Sequence, residues 1–377
     1  MRPDLSRPRI FVTQPVAKSA IDRLRKVASV KVNPDSSRII GKKALIAAVR
    51  SCDILFSLLH DKIDRDVIAA LATPYLIRGS GQRGHSIVYA HSASEDARER
   101  ANESRHEPGS SARVANSKLR AIASQSITPD NIDVAEATKR RIPVTVVPPI
   151  VAEATADVYF GLMLRVARRM GEGERLVHKG RFPGSQSSHL AGAAVYGRTI
   201  GLIGGGGRIG VAVARRARGF GMRVLYWAPR RKPETLERES QMTYVSLDQL
   251  LRESDFVSLH SPLTGETHHQ IGKRELALMK PTAFIVNTAR GAIIDEAALT
   301  RALQKRQIAG AGLDVFEHEP KVTPALLKMS NVVATPHLGS AVVEVREQMA
   351  NIVVDNILAL LEGKTPPNCV NPDVLRG

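Results

Sequence analysis

Cysteine is nearly absent from this chain of 377 residues: Cys52 and Cys369 stand alone and far apart. Two such thiols give neither a metal-ligand spacing nor a disulfide framework. No metal site is therefore expected, and a reducing compartment, the cytoplasm, is. Aromatic residues make up only 4%, too few for the interleaved aromatic and basic pattern of a nucleic-acid surface. No apolar run has the length that a bilayer span needs, and Met1-Arg2-Pro3-Asp4 opens no signal core, so no membrane partner is expected. Acidic residues are outnumbered, 37 Asp and Glu against 54 Lys and Arg, for a net charge of +17. The cations are spread through helical stretches such as Arg215-Arg216-Ala217-Arg218 rather than gathered in a tail. Such a surface favours solubility and the attraction of small anions, with no nucleic acid expected as partner.

What the chain has in plenty is alternation. From residue 199 onward, short apolar runs at 199–203, 223–227, 256–260, 283–288, 310–315 and 332–335 are separated by helical patterns such as 247–252, 273–279 and 296–303. This βαβ rhythm predicts a parallel sheet covered by helices on both faces. A similar set opens the chain, with strands expected at 9–12, 29–32, 54–58, 119–123 and 144–147. The fold class read from this is α/β: two Rossmann-like or flavodoxin-like doubly wound parallel-sheet domains, with the active site in the cleft between them. The expected division is a substrate-binding domain at 1–154, a dinucleotide-binding domain at 155–338, and a C-terminal helical segment at 339–377 that returns to the first. Residues 73–117, rich in Ser, Gly, Arg and Glu, lack periodicity and read as a disordered or partly helical insertion into the first domain.

One turn carries most of the information. The apolar run at 199–203 enters Gly204-Gly205-Gly206-Gly207-Arg208-Ile209-Gly210, and a helical run follows. Gly205, Gly207 and Gly210 fit the dinucleotide spacing G-x-G-x-x-G. The first glycine permits a tight turn, the second lets backbone approach a pyrophosphate, and the third lets the helix pack closely. The N–H groups of the helix start, at Arg208, Ile209 and Gly210, then face the phosphates. After the next strand an Asp or Glu would mark NAD, by bonding the ribose hydroxyls. Ala228-Pro229-Arg230-Arg231-Lys232 stands there instead. With no acid to repel a 2′-phosphate, and with Arg230 and Arg231 able to pair with one, NADPH is expected rather than NADH.

Three further segments place ionisable groups after successive strands: Asn287-Thr288-Ala289-Arg290, Asp314-Val315-Phe316-Glu317-His318-Glu319, and Thr335-Pro336-His337-Leu338-Gly339. Their chemistry suits hydride transfer to a 2-keto acid. His337 can give a proton to the carbonyl oxygen, Glu319 can orient the imidazole, and Arg290 can grip the substrate carboxylate and polarise the carbonyl.

These segments, with His260-Ser261-Pro262-Leu263-Thr264, resemble the D-isomer-specific 2-hydroxyacid dehydrogenases, nearest to NADPH-using glyoxylate/hydroxypyruvate reductases and their 2-ketogluconate-reducing relatives. The resemblance implies Arg290, Glu319 and His337 as catalytic residues, Asp314 at the nicotinamide amide, and Ser261, Pro262, Thr288 and Gly339 along the cofactor. It also implies a homodimer, joined through an arm around 171–196. Glu317 and His318 are assigned to the surface. Where the family holds the substrate carboxylate with a Gly-Val-Gly turn, this chain has Ser126-Ile127-Thr128, and the loss of both glycines is expected to restrict that turn. Two other readings share the fold, a 3-phosphoglycerate dehydrogenase and a nicotinamide-sensing interaction protein akin to corepressors.

Overall fold

Residues 7–70 and 119–376 are described by the computed structural model, so the insertion expected at 73–117 lies outside the described residues. The chain divides into two units, one made of residues up to Val146 together with Val353 onward, the other of Val147–Ile352.

In the first unit, β1 (Arg9–Val12), β2 (Ser29–Val32), β3 (Ile54–Ser57), β4 (Ala121–Ser124) and β5 (Val144–Thr145) form one parallel sheet in the order β2-β1-β3-β4-β5. The central strands β3 and β4 are buried at every position, as apolar runs covered on both faces must be. At the edge, β2 alternates exposed and half-buried residues. Helix Lys18–Val27 buries Ala20, Ile21 and Leu24, one face at helical spacing, and carries Arg25 and Lys26 in its last turn, where the helix dipole favours cations. The C-terminal tail closes the sheet at β5: Asn371 accepts the Val144 N–H at 2.8 Å and donates to the Ile142 carbonyl at 3.0 Å.

The second unit holds β6 (Thr199–Ile203), β7 (Arg223–Trp227), β8 (Met242–Tyr244), β9 (Phe256–Leu259), β10 (Phe284–Asn287), β11 (Gly310–Leu313) and β12 (Val332–Ala334). All are parallel, in the order β12-β11-β10-β9-β6-β7-β8. The two-residue period of the strands sorts their side chains into two cores. Leu225, Val257, Leu259 and Ile285 pack on one face with Leu250, Leu276 and Leu299. Val224, Tyr226, Phe256, Phe284 and Val286 pack on the other with Phe160, Met163, Val213 and Ala217. The unit begins earlier than the 155 expected because helix Ala152–Ala167 belongs to this second core from Ala156 to Ala167. Strand order reverses between β6 and β9, and the crevice outside the C-terminal ends of two such strands is where doubly wound sheets bind ligands.

Candidate active site

At that reversal the chain leaves β6 through Gly204, whose φ of +78° lies in the left-handed region. A Cβ there would stand 2.7 Å from the Ser261 nitrogen and 2.8 Å from the His260 carbonyl carbon, so the turn after β6 rests directly on the turn after β9. Glycine is required twice over, by conformation and by contact. The sequence motif singled out Gly205, Gly207 and Gly210 instead. Of these, Gly210 packs flush on the turn, since a Cβ would meet the Gly205 oxygen at 2.3 Å. Gly205 is enclosed by Leu202 and Tyr226 at 2.7 and 2.8 Å. Gly207, the N-cap of helix Arg208–Gly219, has only the Gly204 oxygen at 3.4 Å, so its side of the turn is open. Arg208 is exposed there, and Ile209 packs against the core.

A nicotinamide dinucleotide fits these residues. The open backbone at Gly207 and the start of a twelve-residue helix suit a pyrophosphate. Nearby strand ends hold buried polar atoms that lack a hydrogen-bond partner among the described residues, Thr288 Oγ1 and His260 Nδ1. Such atoms are costly unless a ligand or water satisfies them. Burial pushes the His260 imidazole down to about 3, which keeps it neutral, and its Nε2 lies 2.6 Å from Ser258 Oγ. Ser261 is buried, and exposed Pro262 gives its carbonyl to the Thr267 hydroxyl at 2.6 Å.

The basic loop after β7 differs from expectation. Arg231 forks onto Glu237 through Nε at 2.9 Å and Nη2 at 2.7 Å, and the Tyr226 hydroxyl donates to the same carboxylate at 2.5 Å. These bonds, Arg231's first, hold the Glu237 carboxyl down at about 2. Arg231, expected to pair with a phosphate, is thus engaged with Glu237, its side chain 63% exposed. Arg230 is exposed, and the Lys232 stem lies across Gly206, its Cγ 2.4 Å from where a Cβ would be. The acid responsible, Glu237, sits in the first turn of helix Glu234–Ser240 and reads in sequence as an ordinary dipole-complementing residue.

The neighbouring strands β10, β11 and β12 carry the proposed catalytic groups on loops at one sheet edge. After β10, Asn287 donates to the Arg290 carbonyl and accepts the Ala289 N–H, both at 2.9 Å, which shapes the loop that bears Arg290. Gly291 lies flush on the loop after β11: a Cβ would fall 1.9 Å from the Phe316 carbonyl carbon. Glu319 accepts the Phe316 N–H through Oε1 at 2.9 Å and faces His337 Nδ1 through Oε2 at 2.9 Å. His337 takes a left-handed φ of +55°.

That conformation is held by Asp314. Its carbonyl accepts the His337 N–H at 2.9 Å, and its fully buried carboxylate accepts from Leu338 N at 2.7 Å, the Thr335 hydroxyl at 2.6 Å and Gly339 N at 2.9 Å. The carboxylate expected at the nicotinamide amide is therefore engaged in aiming the loop of His337. Glu317 also departs from its surface assignment. It is half-buried, bonded to His269 Nε2 at 2.8 Å and to the Glu296 N–H at 3.1 Å.

In the first unit, Ser126, Ile127 and Thr128 follow β4. Ser126 is buried, its hydroxyl closes the turn on the Thr128 carbonyl, and its N–H points to Ser124 Oγ at 3.3 Å. None of the three has a positive φ, so the turn as folded needs no glycine. Among the described residues no helix is long and apolar enough to cross a membrane.

Comparison with known proteins gives consistent results. Residues 160–339 match the family model described as D-isomer specific 2-hydroxyacid dehydrogenase, NAD binding domain. The chain is 40% identical over 373 residues to a glyoxylate reductase of Thermococcus litoralis, covering 98% of each. A glyoxylate reductase structure from Paecilomyes thermophila superposes with a TM-score of 0.74 at 29% identity, over 98% of this chain and 100% of that one. An NADPH-dependent glyoxylate/hydroxypyruvate reductase from Sinorhizobium meliloti, in complex with citrate, gives 0.71 at 28%, over 97% and 98%.

Proposed function

Because the chain belongs to the D-isomer specific 2-hydroxyacid dehydrogenases, a family of nicotinamide-dependent oxidoreductases, we propose that it reduces a small 2-keto acid with NADPH, glyoxylate foremost. Hydroxypyruvate and 2-ketogluconate are the larger candidates, each yielding the D-2-hydroxy acid. The observation that carries this reading is the contact of His337 Nδ1 with Glu319 Oε2 at 2.9 Å, on strand-end loops beside that of Arg290. Bound at the glycine turn, the reduced nicotinamide supplies the hydride that the carbonyl carbon receives. His337 gives the Nε2 proton to the carbonyl oxygen, so C=O becomes CH–OH and the imidazole is left neutral. Glu319 steadies the imidazolium before transfer and fixes the ring. Arg290 binds the substrate carboxylate and stabilises the charge growing on the carbonyl oxygen. The 126–128 turn is proposed to offer backbone N–H groups to a substrate carboxylate.

NADPH is favoured by the lack of an acid after β7 and by exposed Arg230, and by likeness to the Sinorhizobium meliloti enzyme. A homodimer is proposed through the arm at 171–196, which exposes Val177, Phe182 and Tyr196 by 61%, 68% and 75%, more than monomers ordinarily leave bare in one segment. Free Cys52 and Cys369 fit the cytoplasm. The test is cofactor oxidation by the purified chain with glyoxylate, hydroxypyruvate and 2-ketogluconate, using NADPH and NADH in turn. Turnover of glyoxylate preferring NADPH is expected. Cofactor binding without turnover of any of the three would replace this reading with a sensing protein.

A further inference from the structure

We propose that His268, His269 and Glu317 form a binding site for one divalent transition-metal ion, with Zn²⁺ preferred, on the surface of the second unit. One nitrogen from each histidine and one carboxylate oxygen all lie within 4.8 Å of one another. The frame that presents them is rigid. In the turn after β9, the His268 N–H donates to the Thr264 carbonyl at 3.0 Å and the His269 N–H to the Ala292 carbonyl at 2.8 Å, so both Cα positions are fixed. The two rings stack with centroids 4.0 Å apart.

Glu317 is locked from the other side. Its N–H donates to Glu296 Oε2 at 2.9 Å, while its Oε2 accepts the Glu296 N–H at 3.1 Å. That reciprocal pair aims Oε1 at His269 Nε2, 2.8 Å away.

Two neutral imidazoles and one carboxylate are a donor set that Zn²⁺ accepts, with a fourth position left for water. Bonds of about 2.0–2.2 Å to a tetrahedral ion separate ligand atoms by about 3.4 Å, so the His269–Glu317 contact needs to open by only about half an ångström. His268 decides the matter. In a bracing arrangement the exposed His268 does no more than stack on His269, which bonds Glu317; a metal site uses all three as ligands.

The test is a Zn²⁺ titration of the full chain against a chromogenic chelator, which reads binding without turnover and so stands apart from the assignment of substrate. The wild type is expected to bind one Zn²⁺ per chain and to melt at a higher temperature with Zn²⁺ present. His268→Ala, an exposed substitution that leaves the Glu317–His269 bond in place, and Glu317→Gln should each weaken binding tenfold or more. His337→Ala should leave it unchanged. Absence of binding, binding that survives both of the first two substitutions, or binding lost with His337→Ala would overturn the proposal.

Discussion

Two turns that follow parallel strands in this chain solve the same problem by opposite means. The turn after β6 is made of glycine, with Gly204 left-handed and Gly210 pressed to within 2.3 Å, by its missing Cβ, of the Gly205 oxygen. The turn after β4 has no glycine, and closes through hydroxyls as Ser126 reaches the Thr128 carbonyl and Thr128 reaches Asp130 at 2.8 Å. The first turn keeps side chains out and leaves backbone bare at Gly207, as a surface for a large anion should. The second fills its own interior. Glycine is therefore required where another backbone must come close, and not where no residue is left-handed.

Substitutions that exchange the two chemistries should break this contrast unequally. Gly204→Ala should have the largest effect: a left-handed Cβ costs roughly 1–2 kcal/mol and the clash with Ser261 roughly 1–3 kcal/mol more. Thermal denaturation should show that loss, and NADPH affinity by fluorescence titration should fall about a hundredfold. Glu319→Gln, which keeps the shape of the β11 loop and removes the charge facing His337, should lower kcat roughly 10–100-fold with NADPH affinity retained. Arg230→Ala should weaken NADPH roughly tenfold and NADH hardly at all. Arg231→Ala should instead cost stability, because it strips Glu237 of its partner; equal NADPH losses in the two would return Arg231 to the phosphate. Ser126→Ala in the first unit should be mild, about 1 kcal/mol or less of stability and a few-fold rise in KM.

The smallest effect concerns pH. Glu237 is depressed from 4.5 to about 2 by Arg231 and Tyr226. Its stabilisation is therefore complete above pH 4.5 and lost as pH falls from 4.5 toward 2. The difference in Tm between wild type and Glu237→Gln should be greatest near neutrality and shrink across that interval. A constant difference would mean that charge is not what Glu237 contributes.

Much of this was legible before any coordinates. All eleven strand expectations fall on observed strands, most of them because those runs are buried on both faces, of which an unbroken apolar run is the sign; the edge strands β2 and β12 are the exceptions. Several ran one or two residues long, as at Thr288 and Val315, because the loops leaving the sheet are buried too. The edge strand β8 went unread: three residues, of which Thr243 is exposed, make no apolar run. Arg290, Glu319 and His337 were legible as candidates because hydride transfer to a keto acid would need such groups, and strand ends collect them. What composition could not carry was engagement. Nothing in Arg230-Arg231 says which guanidinium Glu237 takes, and nothing in Asp314 says that three donors of the following loop converge on it. Gly204 was passed over because four consecutive glycines fit the motif in one frame, while the left-handed residue stands just outside it.

The central claim is that His337, held by Glu319 and aimed by Asp314, is the proton donor. It is tested most directly by single-turnover oxidation of bound NADPH with saturating glyoxylate, in wild type and His337→Gln. The account predicts that hydride transfer slows by roughly 10²–10⁴-fold while the Kd for NADPH stays within about twofold. Transfer at the wild-type rate, or a loss of rate matched by an equal loss of NADPH binding, would contradict it.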